Sequence, residues 1–312
     1  MNKAEKEVAR YMLQSEEKTL KELKQLYKQC KKDCLEKIAQ LNARTDMINI
    51  QTIVYQQKYQ KMILEQIKDV LEHLEKNEYQ TVQEYLTDCY ENGFIGTMYS
   101  IKQQGIPITV PIDQKQVSKA ITINSNISKR LYTTMGENVT RLKNNIRAEV
   151  SRGIVTGKSW VDVAATIASG MNTPFEKAMK RTYNIARTEG HRVQEESRND
   201  AAAEARKKGA DQLKQWDATL DNKTRDTHAE LDGKIVEYEE DFDSSSGYSA
   251  PYPGAFGVAE EDCNCRCMVL YRARWALGED ELNTLKERAE YFGLDKTKNF
   301  AEYKKKYLAI TD

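Results

Sequence analysis

Apolar residues recur at steps of three and four through most of the chain, the spacing that lines one face of an α-helix. From about Ala4 to Leu41 the set is Val8, Tyr11, Met12, Leu20, Leu23, Leu26, Tyr27, Cys30, Cys34, Ile38 and Leu41, which predicts one long amphipathic helix. A second run after Asp46 carries Ile50, Ile53, Val54, Met62, Ile63, Ile67, Val70, Leu71 and Leu74, and a third covers about Thr81 to Gln103. Helices of roughly 30 residues fit either an antiparallel hairpin that projects as a partner-binding arm or the core of an ordinary bundle. Pro107 and Pro111 lack amide donors and push their preceding residues toward extended geometry, so Gly105 to Asp113 breaks the period and marks a domain junction. Helical patterning returns from about Gln114 to Ile154 and again from Val161 to Ala168, with Ser159 as its expected cap. Gly170 to Pro174 closes that helix and opens another, which should run to about Lys208, where Gly209 stops it.

The character changes after Gly209. Gln212 to Thr219 and Gly233 to Tyr238 read as strands, Asn222 to Leu231 as a short helix or turn, and Ser244 to Gly257 as loop. Met268 to Tyr271 can complete a small sheet, and Glu279 to Asp312 reads as one or two peripheral helices with a basic end, Lys304 to Lys306. The expected fold is mainly α: a long N-terminal helical hairpin or bundle over 1–112, a helical domain over 113–275 with a small α+β Cys/His module at 212–271, and a helical tail over 276–312.

Composition narrows the classes. With 312 residues, 39% of them hydrophobic and a mean hydropathy of −0.75, the chain predicts extended helical structure with much solvated surface. Lys and Arg number 48, as do Asp and Glu, so no global field recruits nucleic acid, a membrane surface or an acidic partner. The charged start leads into no signal-like apolar core and no stretch approaches a membrane span, so a cytosol-like compartment is expected. Cys30, Cys34 and Cys89 fall in helical stripes and read as small core residues.

One constellation carries chemistry. Cys263, Cys265 and Cys267 alternate along a segment that reads as extended, so their side chains should share a face, and a polar run upstream supplies His228. Zinc suits thiolates with imidazole, and the preferred ligand set is His228, Cys265 and Cys267 with Cys263 or Asp262 as the fourth. The competing readings are buried thiols without an ion and a redox or disulfide role. Gly153 to Ser159 is one residue too short for a phosphate loop and follows a helix rather than a strand. Arg187, Glu189, His191 and Arg192 read as an ion-paired helix surface or, functionally, as Arg187 and Glu189 orienting the loop from Asp221 to Gly233. Lys304 to Lys306 could touch DNA phosphates, though such tails are more often solvated helix ends.

Four motifs in order make a pattern: Ala186-Arg187-Thr188-Glu189, Trp216-x-Ala218-x2-Asp221, the run from Thr224 to Lys234 with His228 and Asp232-Gly233, and Cys263-Asn264-Cys265-Arg266-Cys267. Together they resemble the phage minor head protein family, the head morphogenesis family typified by the Mu F-like domain, over about Gln114 to Tyr271. That family's last motif commonly reads His-Pro-Asn-Cys-Arg-Cys, so Asp262 and Cys263 stand where His and Pro usually stand. The resemblance implies a non-enzymatic structural protein of a tailed-phage or prophage head, made in the host cytoplasm and housed in the virion. Its implied partners are the portal protein and a major capsid or scaffold protein, with weak contact to packaged DNA and none to membrane. The alternatives are a DNA-binding protein inside the head and a toxin-related enzyme; about forty residues follow Tyr271, which is short for an added transferase module.

Overall fold

A computed structural model of the chain describes residues 1–43, 53–122, 126–156, 160–274 and 279–310. Among them the order is α1 (Lys3–Asn42), α2 (Ile53–Gln66), α3 (Lys68–Gln103), α4 (Gln114–Ile121), α5 (Asn126–Thr156), α6 (Trp160–Gly170), α7 (Asn172–Lys207), β1 (Gln212–Asp217), α8 (Asp226–Ala229), β2 (Ile235–Glu237), β3 (Phe242–Asp243), β4 (Ser249–Ala250), α9 (Ala259–Asp262), β5 (Met268–Ala273), α10 (Glu279–Tyr291) and α11 (Phe300–Tyr307). The protein is mainly α with a small β region, as its periodicity predicts. No described helix is long and apolar enough to cross a membrane.

The long helices follow their stripes. In α1 the residues Leu23, Tyr27, Cys30, Cys34, Ile38 and Leu41 are all buried, at steps of three and four. The second and third predicted runs divide elsewhere than expected: α3 is one 36-residue helix beginning at Lys68. Its junction with α2 is a single residue, and the amide of Ile67 still donates to Ile63 O at 3.1 Å while that of Leu71 donates to Ile67 O at 3.0 Å. The part of the second run from 46 to 52, and the expected cap Ser159 with Gly157 and Lys158, lie outside the described residues. At the end of α7, Gly209 takes φ 89° and its amide bonds Arg206 O while that of Ala210 bonds Ala205 O, a pair of contacts that closes the helix as predicted.

The described residues pack into two units, one of 1–17, 83–129 and 186–312 and the other of 18–82 and 130–185. This division differs from the sequential one at 112 and 275, because α1, α3, α5 and α7 each supply residues to both units. Proline and glycine breakers locate helix ends, and here unit membership changes within helices instead. The second unit is wholly helical, with a core of Tyr27, Cys30, Cys34, Ile63, Leu71, Leu142, Ile146, Val163 and Ile167 among others.

In the first unit β1 is the central strand of an antiparallel sheet, ordered β2-β1-β5, with Trp216 opposite Val269. Gln212, Lys214 and Trp216 alternate inward on β1. A second pair joins β3, just before the stretch that reads as loop, to β4 inside it. The tail also departs from expectation. Helix α11 buries Phe300, Tyr303 and Tyr307; the Phe300 ring centroid lies 5.2 Å from that of Tyr11, and Tyr303 lies 5.0 Å from Tyr99. Lys304 is buried with its ammonium donating to Asn92 Oδ1 at 2.8 Å and 3.3 Å from Glu91, and Lys306 donates to Gly293 O at 2.7 Å. Of the three tail lysines Lys304 is therefore committed inside the fold, while Lys305 and Lys306 stay exposed, because the apolar face of α11 draws that helix into the core.

Candidate metal centre

His228 is delivered by the one-turn helix α8, inside a loop closed at its base by paired backbone. The amide of Gly233 donates to Trp216 O and that of Trp216 to Lys234 O, both at 2.9 Å. Gly233 adopts φ 76°, the turn geometry its Asp-Gly step predicts, and Asp232 accepts from the amide of Ala218 at 2.8 Å. The edge of the fully buried Trp216 ring then meets the imidazole, with centroids 5.5 Å apart, and Phe256 lies at 5.9 Å. These walls keep water from the imidazole.

The thiol segment arrives from the opposite side. Cys265 and Cys267 are buried and converge on one nitrogen: His228 Nδ1 lies 3.3 Å from Cys267 Sγ and 3.5 Å from Cys265 Sγ. Among the described residues, His228, Cys265 and Cys267 form the one cluster of three or more His, Cys, Asp or Glu ligand atoms close enough to share an ion, all within 4.8 Å of one another. Cys263 is not in it. Asn264 takes φ 55°, a left-handed turn that breaks the alternation carrying all three sulfurs to one face. Asp262 is directed elsewhere too, since its carboxylate accepts the amides of Phe256 at 3.1 Å and Gly257 at 2.7 Å.

Sequence reasoning missed Glu261. It is buried and its Oε2 stands 2.8 Å from His228 Nε2. Ser244, Ser246 and Thr227 donate their hydroxyls to the same carboxylate. Burial raises the Glu261 carboxyl, but the bonds from Ser246, Ser244 and Thr227 and the nearby imidazole outweigh it and hold the group below its ordinary range. An ionised Glu261 can only accept, so Nε2 carries the imidazole proton and the Nδ1 lone pair faces the sulfurs. Cys267 is pulled down to about 5, first by its hydrogen bond from Cys265 and, against burial, by His228, while Cys265 is pushed well up. No signal in an acidic run such as Glu260-Glu261-Asp262 separates the buried carboxylate from its neighbours.

Helix α7 supports the segment through residues other than those expected. Arg187 pairs with Glu16 at 2.7 Å, and the buried Glu189 takes Arg192 and Ser128. Thr188 instead accepts the amide of Asn264 at 3.2 Å, and His191 Nε2 donates to Cys267 O at 2.7 Å. Burial lowers the His191 pKa, keeping that ring neutral. Across the loop, Arg266 grips Asp221 with two contacts of 2.6 Å, which joins the second and fourth sequence motifs directly.

Residues 144–270 match the family model described as Phage Mu protein F like protein. The chain is 32% identical over 218 residues to Minor head protein GP7 of Bacillus phage SPP1, covering 67% of this chain and 68% of that protein. It is 30% identical over 275 residues to a protein of Enterococcus faecalis named NAD(+)--arginine ADP-ribosyltransferase EFV, covering 86% of this chain but 54% of that one. The chain thus spans about half the length of one curated relative and two thirds of the other. No solved structure matches it.

Proposed function

Because the chain belongs to the phage minor head proteins of the Mu F-like family, we propose that it is a structural component of a tailed-phage head that associates with the portal during head morphogenesis. The observation carrying this reading is the 32% identity to GP7 over 218 residues, a span longer than the 144–270 family match. A match of that length takes in part of the helical region, and the family match takes in the Cys/His module. A portal partner fits the long amphipathic helices, and capsid or scaffold subunits are the further partners of this reading. The transferase name belongs to a protein of which 46% lies outside the match, so the activity it names is not carried over to this chain.

Co-expression with the portal protein of the same genome tests the proposal. A complex that co-purifies through size exclusion is the expected outcome. Purification of the two proteins apart, each folded, would remove the portal from the reading.

A second reading is favoured by one observation. The helical unit of 18–82 and 130–185 holds 21 Lys and Arg against 13 Asp and Glu, a net charge of +8, and the other unit carries the balancing −8. A local excess of that size supports contact with packaged DNA through the helical unit, despite the neutral whole.

A further inference from the structure

We propose that His228 Nδ1, Cys265 Sγ and Cys267 Sγ hold one zinc-class divalent ion, and that Glu261 is the positioning carboxylate that fixes the imidazole for it.

Distance is the first argument. A tetrahedral ion with bonds of about 2.3 Å to sulfur and about 2.0 Å to nitrogen sets those two atoms roughly 3.5 Å apart. The observed separations are 3.3 and 3.5 Å.

The donor set is the second argument. Two thiolates with one neutral imidazole select a borderline-soft cation over calcium or magnesium. Binding forms two metal–sulfur bonds and one metal–nitrogen bond and releases to solvent any proton that either sulfur still carries, while Nε2 keeps its proton.

The surroundings are the third. The outer nitrogen of a metal-bound histidine almost always donates to a carboxylate, carbonyl or water, and here it meets a buried carboxylate at 2.8 Å that three hydroxyls also hold. The ion would tie α8 to the segment entering β5 where Trp216 and Phe256 already exclude water.

Elemental analysis of the full chain, purified in reductant without chelator and then dialysed against zinc, should find about one zinc per chain. Cys265→Ser, Cys267→Ser and His228→Asn should each empty the site, while Cys263→Ser should keep it full. Glu261→Gln should retain the ion with affinity lower by roughly 10- to 100-fold in competition with a chromophoric chelator. Should the three ligand variants fail to fold, cobalt(II) added to the unmodified protein decides the matter. Its thiolate charge-transfer band should have the intensity of two thiolates and be unchanged by Cys263→Ser. No uptake of either metal, an intensity of three thiolates, or loss of the ion in Cys263→Ser would overturn the assignment.

Discussion

Glu78 is a carboxyl enclosed by the helical unit, with neutral partners from three other helices. Tyr27 of α1 donates to it at 2.9 Å, Thr182 of α7 donates to its other oxygen, and Asn138 of α5 approaches at 3.4 Å. Burial pushes the Glu78 pKa up against these hydrogen bonds. A folded value above the unfolded one, about 4.3, means that the folded state favours the proton. The associated stability is full below the unfolded value and is lost as pH rises through the folded one. Glu78→Gln mimics the protonated acid, so its unfolding midpoint should exceed that of the unmodified protein at pH 8, with the gap closing as pH falls toward 4. Thermal melts across that range check it, and a gap that stays constant with pH would sink the explanation. Such a carboxyl was not legible beforehand, because Glu78 sits in a Glu- and Lys-rich stretch that reads as solvated. The Cys/His module was partly legible for the opposite reason: thiols and a histidine are rare enough that their order alone suggests convergence. Which sulfurs converge depends on the φ of Asn264, and no residue pattern reports that angle.

Among the elements, α11 most changes the reading of the chain. Phe300, Tyr303 and Tyr307 follow a helical step of three and four, yet Lys304, Lys305 and Lys306 between them suggest a solvated tail. Burial decides in favour of the aromatic stripe. Phe300 is fully buried against Tyr11 and Tyr99, so Phe300→Ala should cost about 3–5 kcal/mol of stability. Urea unfolding followed by circular dichroism measures it, and a loss below about 0.5 kcal/mol would return α11 to the periphery. The long helices were legible because their apolar period persists through many turns, which averages out local exceptions. The junction at Ile67 was not, since one residue of altered geometry leaves the stripe in phase. Strands β3 and β4, two residues each, are too short to show an alternation at all.

At the scale of the molecule, neutrality conceals a partition. The two units are discontinuous in sequence, so no window along the chain reveals that one carries +8 and the other −8. On the helical unit, α5 exposes Lys143 and Arg147 one turn apart, where both can face one phosphate backbone. If DNA lies there, the logarithm of affinity should fall linearly with the logarithm of salt, each phosphate contact contributing about 0.9 to the slope. Replacing Lys143 and Arg147 with glutamine should then reduce the slope by up to about 2, equally for unrelated sequences, because phosphate contacts carry no base information. Lys305→Gln, an exposed change on the tail helix of the acidic unit, should leave the slope as it was. Fluorescence anisotropy with two unrelated duplexes across a salt series distinguishes the cases. An unchanged slope in the double variant, or a larger loss from Lys305→Gln, would move DNA off α5 and leave its cations to an acidic protein partner.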